Sequence, residues 1–381
     1  MNFSLTAEQQ ASFDMAREFA LERFVPRAIE WDRTKTFPVE VLREAASLGL
    51  AAITVSEDHG GSGLSRLDST LIFEALSYGC PTIAAYISIH NMCAWMIDVF
   101  GSPSQWEQWL PRLISMETLA SYCLTEPGSG SDAAALRTSA KFVGNEIVLN
   151  GTKSFISGAG VSGLYLVMAR TGGEGSKGIS TILVEKKTTG LSFGAQEQKM
   201  GWNAQPTAQV QFDDCHVPRT NLLGEEGEGF TYAMKGLDGG RLNIAACALG
   251  AAQCALDKAI GYLHERKAFG KPLDQFQALQ FRLADMETEL QASRIFLRQA
   301  AWKLDQEEPD ATKFCAMAKR FVTDTAFKVA NEALQLHGGY GYLADFGIEK
   351  IVRDLRVHQI LEGTNEIMRL ITARALLSES K

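Results

Sequence analysis

The feature that most constrains this chain is an apolar seam near its C-terminal end. Leu279, Leu283, Met286, Leu290, Leu297, Ala301 and Leu304 recur in steps of 4, 3, 4, 7, 4 and 3. Such steps keep all seven on one face of a helix, which must bury that face against other helices or a second subunit. Phe230 to His264 is a second long periodic run, and beyond Pro309 a third spans Ala311 to Leu336. The Gly-rich segment His337–Tyr342 ends it, and a last helix is predicted from about Asn365 to Leu377. With 34 Gly and only 10 Pro, the chain has the composition of long helices joined to a Gly-rich irregular region.

The N-terminal part is also helical in pattern. Phe13, Ala16, Ala20 and Phe24 share a helical face; Pro38 and Gly49 bracket a second helix; Leu67, Leu71, Ala75 and Tyr78 mark a third, stopped by Gly79. Near Ala120 the pattern changes to short strands. Ala140–Val143, Glu146–Leu149 and Lys153–Ile156 are separated by Gly144-Asn145 and by Asn150-Gly151, which read as hairpin turns. Leu164–Ala169, Ile179–Val184 and Val210–Phe212 continue the series. The fold class expected is α+β and multidomain. An N-terminal helical domain (1–118) precedes a middle antiparallel, barrel-like β domain (119–228) and a C-terminal four-helix bundle (229–381).

Composition excludes several functions. Lys plus Arg number 37 and Asp plus Glu 45, a net charge of −8, which disfavours nucleic acid and anionic membranes as partners. No run approaches the ~18 apolar residues of a membrane span. The seven scattered Cys read as reduced, buried, intracellular thiols. The acidic amphipathic N-terminus is unlike a signal or transit peptide. The expected location is therefore the cytoplasm, or the mitochondrial matrix for a processed form. The six His do not pair at metal-ligand spacing, so no metal is expected. Dinucleotide, P-loop and nucleophile-elbow motifs are absent.

Three segments resist a purely structural reading. Tyr122–Asp132 (YCLTEPGSGSD) ends a strand in a loop of small residues whose N–H groups suit an anion, although it also reads as a tight connector. Arg266–Pro272 (RKAFGKP) is a basic turn between long helices, or a solvated helix cap. Leu361–Asn365 (LEGTN) puts a carboxylate ahead of a helix, where it can merely complement the helix terminus.

In this order, and with Asn150–Ser157 (NGTKSFIS) and Gln335–Tyr342 (QLHGGYGY), these segments resemble the acyl-CoA dehydrogenase family of flavoproteins over nearly the whole chain. The resemblance implies FAD extended between the β domain, the helical bundle and a neighbouring subunit of a homotetramer. It implies that Tyr122, Leu124, Thr125, Gly130 and Ser131 line one side of the flavin, and that Phe155, Ile156 and Ser157 cover its ring edge. The family commonly has Trp and Thr in place of Phe155 and Ser157. Arg266, Phe276 and Gln277 then resemble contacts to the pyrophosphate and adenine side, made across a subunit interface. Gln335, Gly338 and Gly339 let backbone approach the cofactor, and Thr364, Asn365 and Glu366 close the site.

The resemblance also makes Glu362 the base that removes the thioester α-proton, while the β-hydrogen leaves as hydride to the flavin. Some relatives carry the base near residue 240 instead. Gly240 cannot serve, and the family pattern places Asp238 with Arg241 on the pantetheine arm. Gly239, Gly240 and Ser131 join them in the expected substrate site, with Arg374 further out. The stretches FISGAG, KGIS, GWN-x-QPT and GGR-x-NIA resemble the branch acting on isobutyryl-CoA, which implies oxidation to methacrylyl-CoA in valine breakdown. Electrons would pass to electron-transfer flavoprotein. A 2-methylbutyryl-CoA or short straight-chain acyl-CoA dehydrogenase is the alternative, and a non-catalytic scaffold of the same fold a further one.

Overall fold

The computed structural model of the protein describes residues 4–379. The chain begins with α1 (Ala7–Phe19), α2 (Ala28–Thr34), α3 (Val39–Ser47), α4 (Arg66–Ser77), α5 (Pro81–Phe100) and α6 (Pro103–Ile114). Their starts are encoded locally. Thr6 with Gln9, Ser65 with Asp68 and Ser102 with Gln105 form reciprocal caps that satisfy orphan N–H groups. Ala16, Ala20 and Phe24 are buried as their spacing predicts, although α1 passes into a π-turn at Ala20–Phe24.

One expectation fails here. α5 and the later α7 (Gly229–Glu265) are both long and apolar enough to cross a membrane. Most of each lies inside the protein, and a helix surrounded on all sides needs no polar face.

The middle of the chain forms β1 (Ala120–Cys123), β2 (Ser139–Val143), β3 (Glu146–Ser157), β4 (Leu164–Arg170), β5 (Ile179–Glu185), β6 (Leu191–Phe193), β7 (Thr207–Pro218) and β8 (Leu222–Leu223). The sheet order is β6-β7-β3-β2-β4-β5-β8, with β1 paired to β4. The expected antiparallel barrel is corrected to an open, mixed sheet. β1 and β4 run parallel, because the whole β2–β3 excursion lies between them and gives the chain room to cross over. A second correction concerns Asn150-Gly151. Gly144-Asn145 is a hairpin turn, but β3 runs unbroken through Asn150 and Gly151, where the pairing with β7 shifts register. Gly151 has φ 146°, and a β-carbon there would lie 2.6 Å from Thr138 Oγ1. Asn150 faces β7 instead of closing a turn: its side chain exchanges two hydrogen bonds with Asp214. Asn-Gly thus marks a bulge.

After α7 come the short ribbon strands β9 (Lys267–Ala268) and β10 (Lys271–Pro272), then α8 (Gln277–Asp305), α9 (Ala311–Leu336), α10 (Ile348–Arg356) and α11 (Asn365–Glu379). The seam on α8 is inward, with Met286, Leu290, Leu297 and Ala301 buried. Within the C-terminal part α7, α8, α9 and α11 pack on one another through α9, and the core does not stop there. α4 packs on α7 and α8, and α11 packs on α9, so one apolar core joins the first and last thirds of the chain. α10 was not foreseen. Its charged residues hide a buried face of Ile348, Ile351 and Leu355.

Candidate active site

The site is built around the turn Leu361–Asn365, between a 3-10 turn (Val357–Gln359) and α11. Glu362 has φ 54° and the next residue, Gly363, φ 89°. Two successive left-handed residues, the first not glycine, need external support. It comes from two buried cations. Arg241 on α7 donates through Nε to Glu362 O at 3.3 Å, and Lys319 on α9 donates through Nζ to Gly363 O at 2.9 Å.

The Glu362 carboxylate lies over Gly240. A β-carbon on Gly240 would sit 2.4 Å from Glu362 Oε2, so only glycine leaves this seat free. That buried oxygen has no hydrogen-bond partner among the described residues. Burial pushes the Glu362 carboxyl up to about 7, with Lys319 and Arg241 pulling the other way. A carboxylate with an open acceptor and a raised pKa is what proton abstraction near neutral pH needs.

Other expected substrate residues gather alongside. Asp238 pairs with Arg241 at 2.7 Å and accepts from Thr312 Oγ1 at 2.7 Å. Both Asp238 oxygens are therefore engaged, whereas Glu362 Oε2 is not. Gly239 makes room for Arg66, whose Nη1 would be 2.5 Å from a β-carbon there; Arg66 in turn stacks on Trp95. Tyr122 donates to Ala233 O at 3.3 Å, and burial raises its pKa well above normal, with the charge of Glu362 among the lesser causes. Arg374 is exposed on α11, nine residues beyond Asn365 and so ~14 Å along the helix, away from this cluster.

The loop after β1 rests on a second buried lysine. Lys153 Nζ donates to Leu124 O at 3.0 Å and to Glu126 Oε1 at 2.7 Å, while the N–H groups of Arg137 and Thr138 also donate to Glu126. Burial alone would raise the Glu126 carboxyl, but Lys153 and these hydrogen bonds more than offset it, leaving it below its ordinary value. Thr125, Gly130 and Ser131 are thereby presented along an open edge. Nothing lies within 4 Å of a β-carbon built on Gly130. Phe155 sits at a bulge with φ 58° and is 67% exposed, an unusual cost for a large aromatic ring, while Ile156 beneath it is buried. Ser157 Oγ accepts from Gln205 Nε2 at 3.3 Å. Trp202, nearby in sequence, packs edge-on against His358 and joins a small core with Leu361, linking this wall to the Glu362 turn.

The remaining expected cofactor residues form a separate cluster. A cavity of about 410 Å³ is lined by Tyr262, Arg266, Gln335, Gly338, Gly339 and Tyr340. Phe276 packs edge-on against Phe269 beside it, and Gln277 opens α8. Gln335 lies sixteen residues beyond Lys319 on α9, ~24 Å away. Thr364 caps α11 by accepting from Ile367 N at 3.3 Å, and Glu366 is exposed. Asn365 is buried and ties α11 to Lys319, Thr323 and Asp324 of α9. Sequence reasoning missed Lys319, Lys153, Glu126 and Arg66. Isolated charges in helical or strand patterns look solvent-facing, and the only signal was an apolar context around Lys153 and Lys319.

The residues fit FAD. The exposed Phe155 ring offers a flat wall, and Trp202 Nε1, Gln205 Oε1 and Glu362 Oε2 are buried polar atoms without partners among the described residues. The open Gly130 edge and the cavity beside Gly338 and Gly339 leave backbone accessible to a large ligand.

Sequence comparison agrees with this geometry. The N-terminal, middle and C-terminal domains of acyl-CoA dehydrogenase match residues 6–117, 121–215 and 227–377. The chain belongs to the acyl-CoA dehydrogenase family, and is an FAD-dependent flavoprotein oxidoreductase acting on acyl-CoA thioesters. It is 54% identical over 378 residues to the mitochondrial isobutyryl-CoA dehydrogenase of Bos taurus, covering 99% of this chain and 91% of that one. The corresponding protein of Dictyostelium discoideum is 55% identical over 373 residues, covering 98% and 90%. The structure of butyryl-CoA dehydrogenase from Megasphaera elsdenii superposes with a TM-score of 0.96 at 38% identity, covering 99% and 100%.

Proposed function

We propose that this protein oxidises short branched acyl-CoA thioesters, isobutyryl-CoA foremost, to the α,β-enoyl product, methacrylyl-CoA, a step of valine breakdown. The observation that carries the reading is Glu362 held over Gly240 with an unpartnered carboxylate oxygen. Glu362 takes the proton from the α-carbon. The Arg241–Asp238 pair and the backbone of Gly239 and Gly240 line the thioester and pantetheine arm, with Ser131 at its outer edge. FAD, when bound, supplies the oxidising power by accepting the β-hydrogen with its electron pair. Tyr122, Leu124, Thr125, Gly130, Ser131, Phe155, Ile156 and Ser157 hold it on one side and exclude water, which keeps Glu362 desolvated.

The second cluster, Arg266, Phe276, Gln277, Gln335, Gly338 and Gly339, serves the cofactor of a neighbouring subunit in a homotetramer. Its ~24 Å distance from the Glu362 turn along α9 supports that reading. Electron-transfer flavoprotein takes the electrons onward. High identity to two isobutyryl-CoA dehydrogenases supports the substrate choice.

The test is anaerobic titration of the purified holoenzyme with isobutyryl-, 2-methylbutyryl-, butyryl- and isovaleryl-CoA, following flavin bleaching and kcat/KM. Isobutyryl-CoA should lead by about ten- to two-hundred-fold, the range one misplaced methyl group commands in an apolar pocket. A panel led by butyryl-CoA would overturn the branched substrate and leave the dehydrogenase intact.

A further inference from the structure

Lys319 has no role in the chemistry set out above, yet it is completely buried beside the turn that carries Glu362. Its Nζ donates to Gly363 O and to Asn365 Oδ1, both at 2.9 Å. Its contact acceptors are thus neutral, and no carboxylate among the described residues touches it. Burying a cation without a contact counter-ion is expensive, and a folded chain keeps such a group only where the surroundings compensate it. Burial outweighs the neighbouring charges, of which Glu362 is the strongest stabilising one, Arg241 opposes it, and Asp324 and Glu366 add less.

We infer that Lys319 is a positioning residue for the dehydrogenation. It clamps the left-handed Glu362–Gly363 turn through the Gly363 carbonyl, and its charge stabilises the ionised form of the Glu362 base. This rests on the reading of Glu362 as base. Two consecutive carbonyls are each held by a cation from a different helix, Arg241 from α7 and Lys319 from α9. Neither helix can shift without moving the base. Asn365 completes the clamp: its side-chain oxygen accepts from Lys319, and its Nδ2 donates to Thr323 Oγ1 at 3.0 Å and to Asp324 Oδ1 at 2.7 Å.

The groups that face Glu362 electrostatically are Lys319 from α9, Arg241 and Cys247 from α7, and Tyr122 from β1. Cys247 and Tyr122 are neutral, since burial raises both pKa values well above normal. Arg241 is already paired with Asp238. Lys319 therefore supplies the cationic field not cancelled by a contact partner. Burial also lowers its own pKa to about 7, so base and lysine titrate in the same range. The sign follows directly. An ammonium nearby favours carboxylate over carboxylic acid, so removing it makes the base harder to ionise and moves its titration to higher pH.

The experiment measures the rate of flavin reduction by isobutyryl-CoA from pH 6 to 9 in the FAD-loaded parent, Lys319→Met and Lys319→Gln proteins. Met keeps the apolar stem as far as Cε but removes the charge and the donors. Gln removes the charge but keeps one donor for Gly363 O. Both variants should show the rising limb of the profile displaced upward by ~1 unit. The Met protein alone should remain at least ~10-fold slower at the alkaline plateau, because its turn has lost the clamp. A midpoint unchanged in both overturns the proposal, whatever the loss in rate. If neither variant folds with FAD, Lys319 is a folding element and the proposal is also overturned. A Glu362→Gln protein that reduces flavin at the parent rate would instead reject the base assignment itself.

Discussion

Two buried lysines support the two loops that frame the candidate site, and they do so differently. Lys153, from β3, lies under the Tyr122–Asp132 loop and meets the Glu126 carboxylate at 2.7 Å. Lys319, from α9, lies under the Leu361–Asn365 turn and, among the described residues, meets only a carbonyl and an amide oxygen. Lys153 is neutralised in contact, and the acceptors of Glu126 are filled by backbone N–H groups as well. It is a strut. The field of Lys319 still reaches Glu362, which has an acceptor to spare. The contrast teaches that burial alone does not separate a structural lysine from a functional one. The charge of the acceptor it touches does.

The sharpest test of the functional half is Glu362→Gln. Flavin reduction should fall by ~10²–10⁴-fold or more, because Gln keeps the size but cannot take a proton. Rapid mixing with isobutyryl-CoA measures it, and a rate within tenfold of the parent would remove Glu362 from the mechanism. The structural half predicts loss of stability instead. Lys153→Met leaves Glu126 buried without its counter-charge and should cost about 3–5 kcal/mol. Adding Glu126→Gln should recover part of that loss in chemical denaturation. The pH midpoint of flavin reduction should not move in the folded Lys153→Met fraction, in contrast to the variants of Lys319.

Gly240→Ala probes the seat of the base. The new methyl would lie 2.4 Å from Glu362 Oε2 and must push the carboxylate aside. A displacement of about 1 Å can cost ~10²-fold, so kcat should drop by that order while FAD stays bound. The smallest effect is the pH dependence of the parent. With Glu362 raised to about 7, the base form is present above that pH and lost below it. Flavin reduction should therefore rise from pH 6 to 8 and then level, as a stopped-flow series would record.

Much of the architecture was legible in the chain. The seam on α8, the bounds of α9 and the stop of α4 at Gly79 are local patterns, and local physics enforces them. The role proposed for Glu362 was suggested only by its motif; its spacing alone fitted a helix-terminus charge equally well. Asn150-Gly151 misled because the dipeptide suits both a hairpin turn and a bulge, and the choice depends on whether β7 lies alongside. The open mixed sheet was unreadable for a similar reason: a four-residue β1 does not declare that its partner is β4, forty residues on. α10 escaped because its apolar residues are few and its charges many.

What the sequence determined unaided is which long helices form and which faces they bury, since seams and turn residues act over three or four positions. Which oxygen each buried lysine would face was decided only by tertiary structure. Lys153 meets Glu126 across 27 residues and Lys319 meets Gly363 across 44, and such pairs exist only once separate elements have packed. The raised pKa of Glu362 has the same origin. Isolated in water, the residue is an ordinary carboxyl. Here its carboxyl is raised to about 7 because the packed core removes the solvent, while α7 offers a glycine to lie on and two cations from different helices hold the turn that carries it.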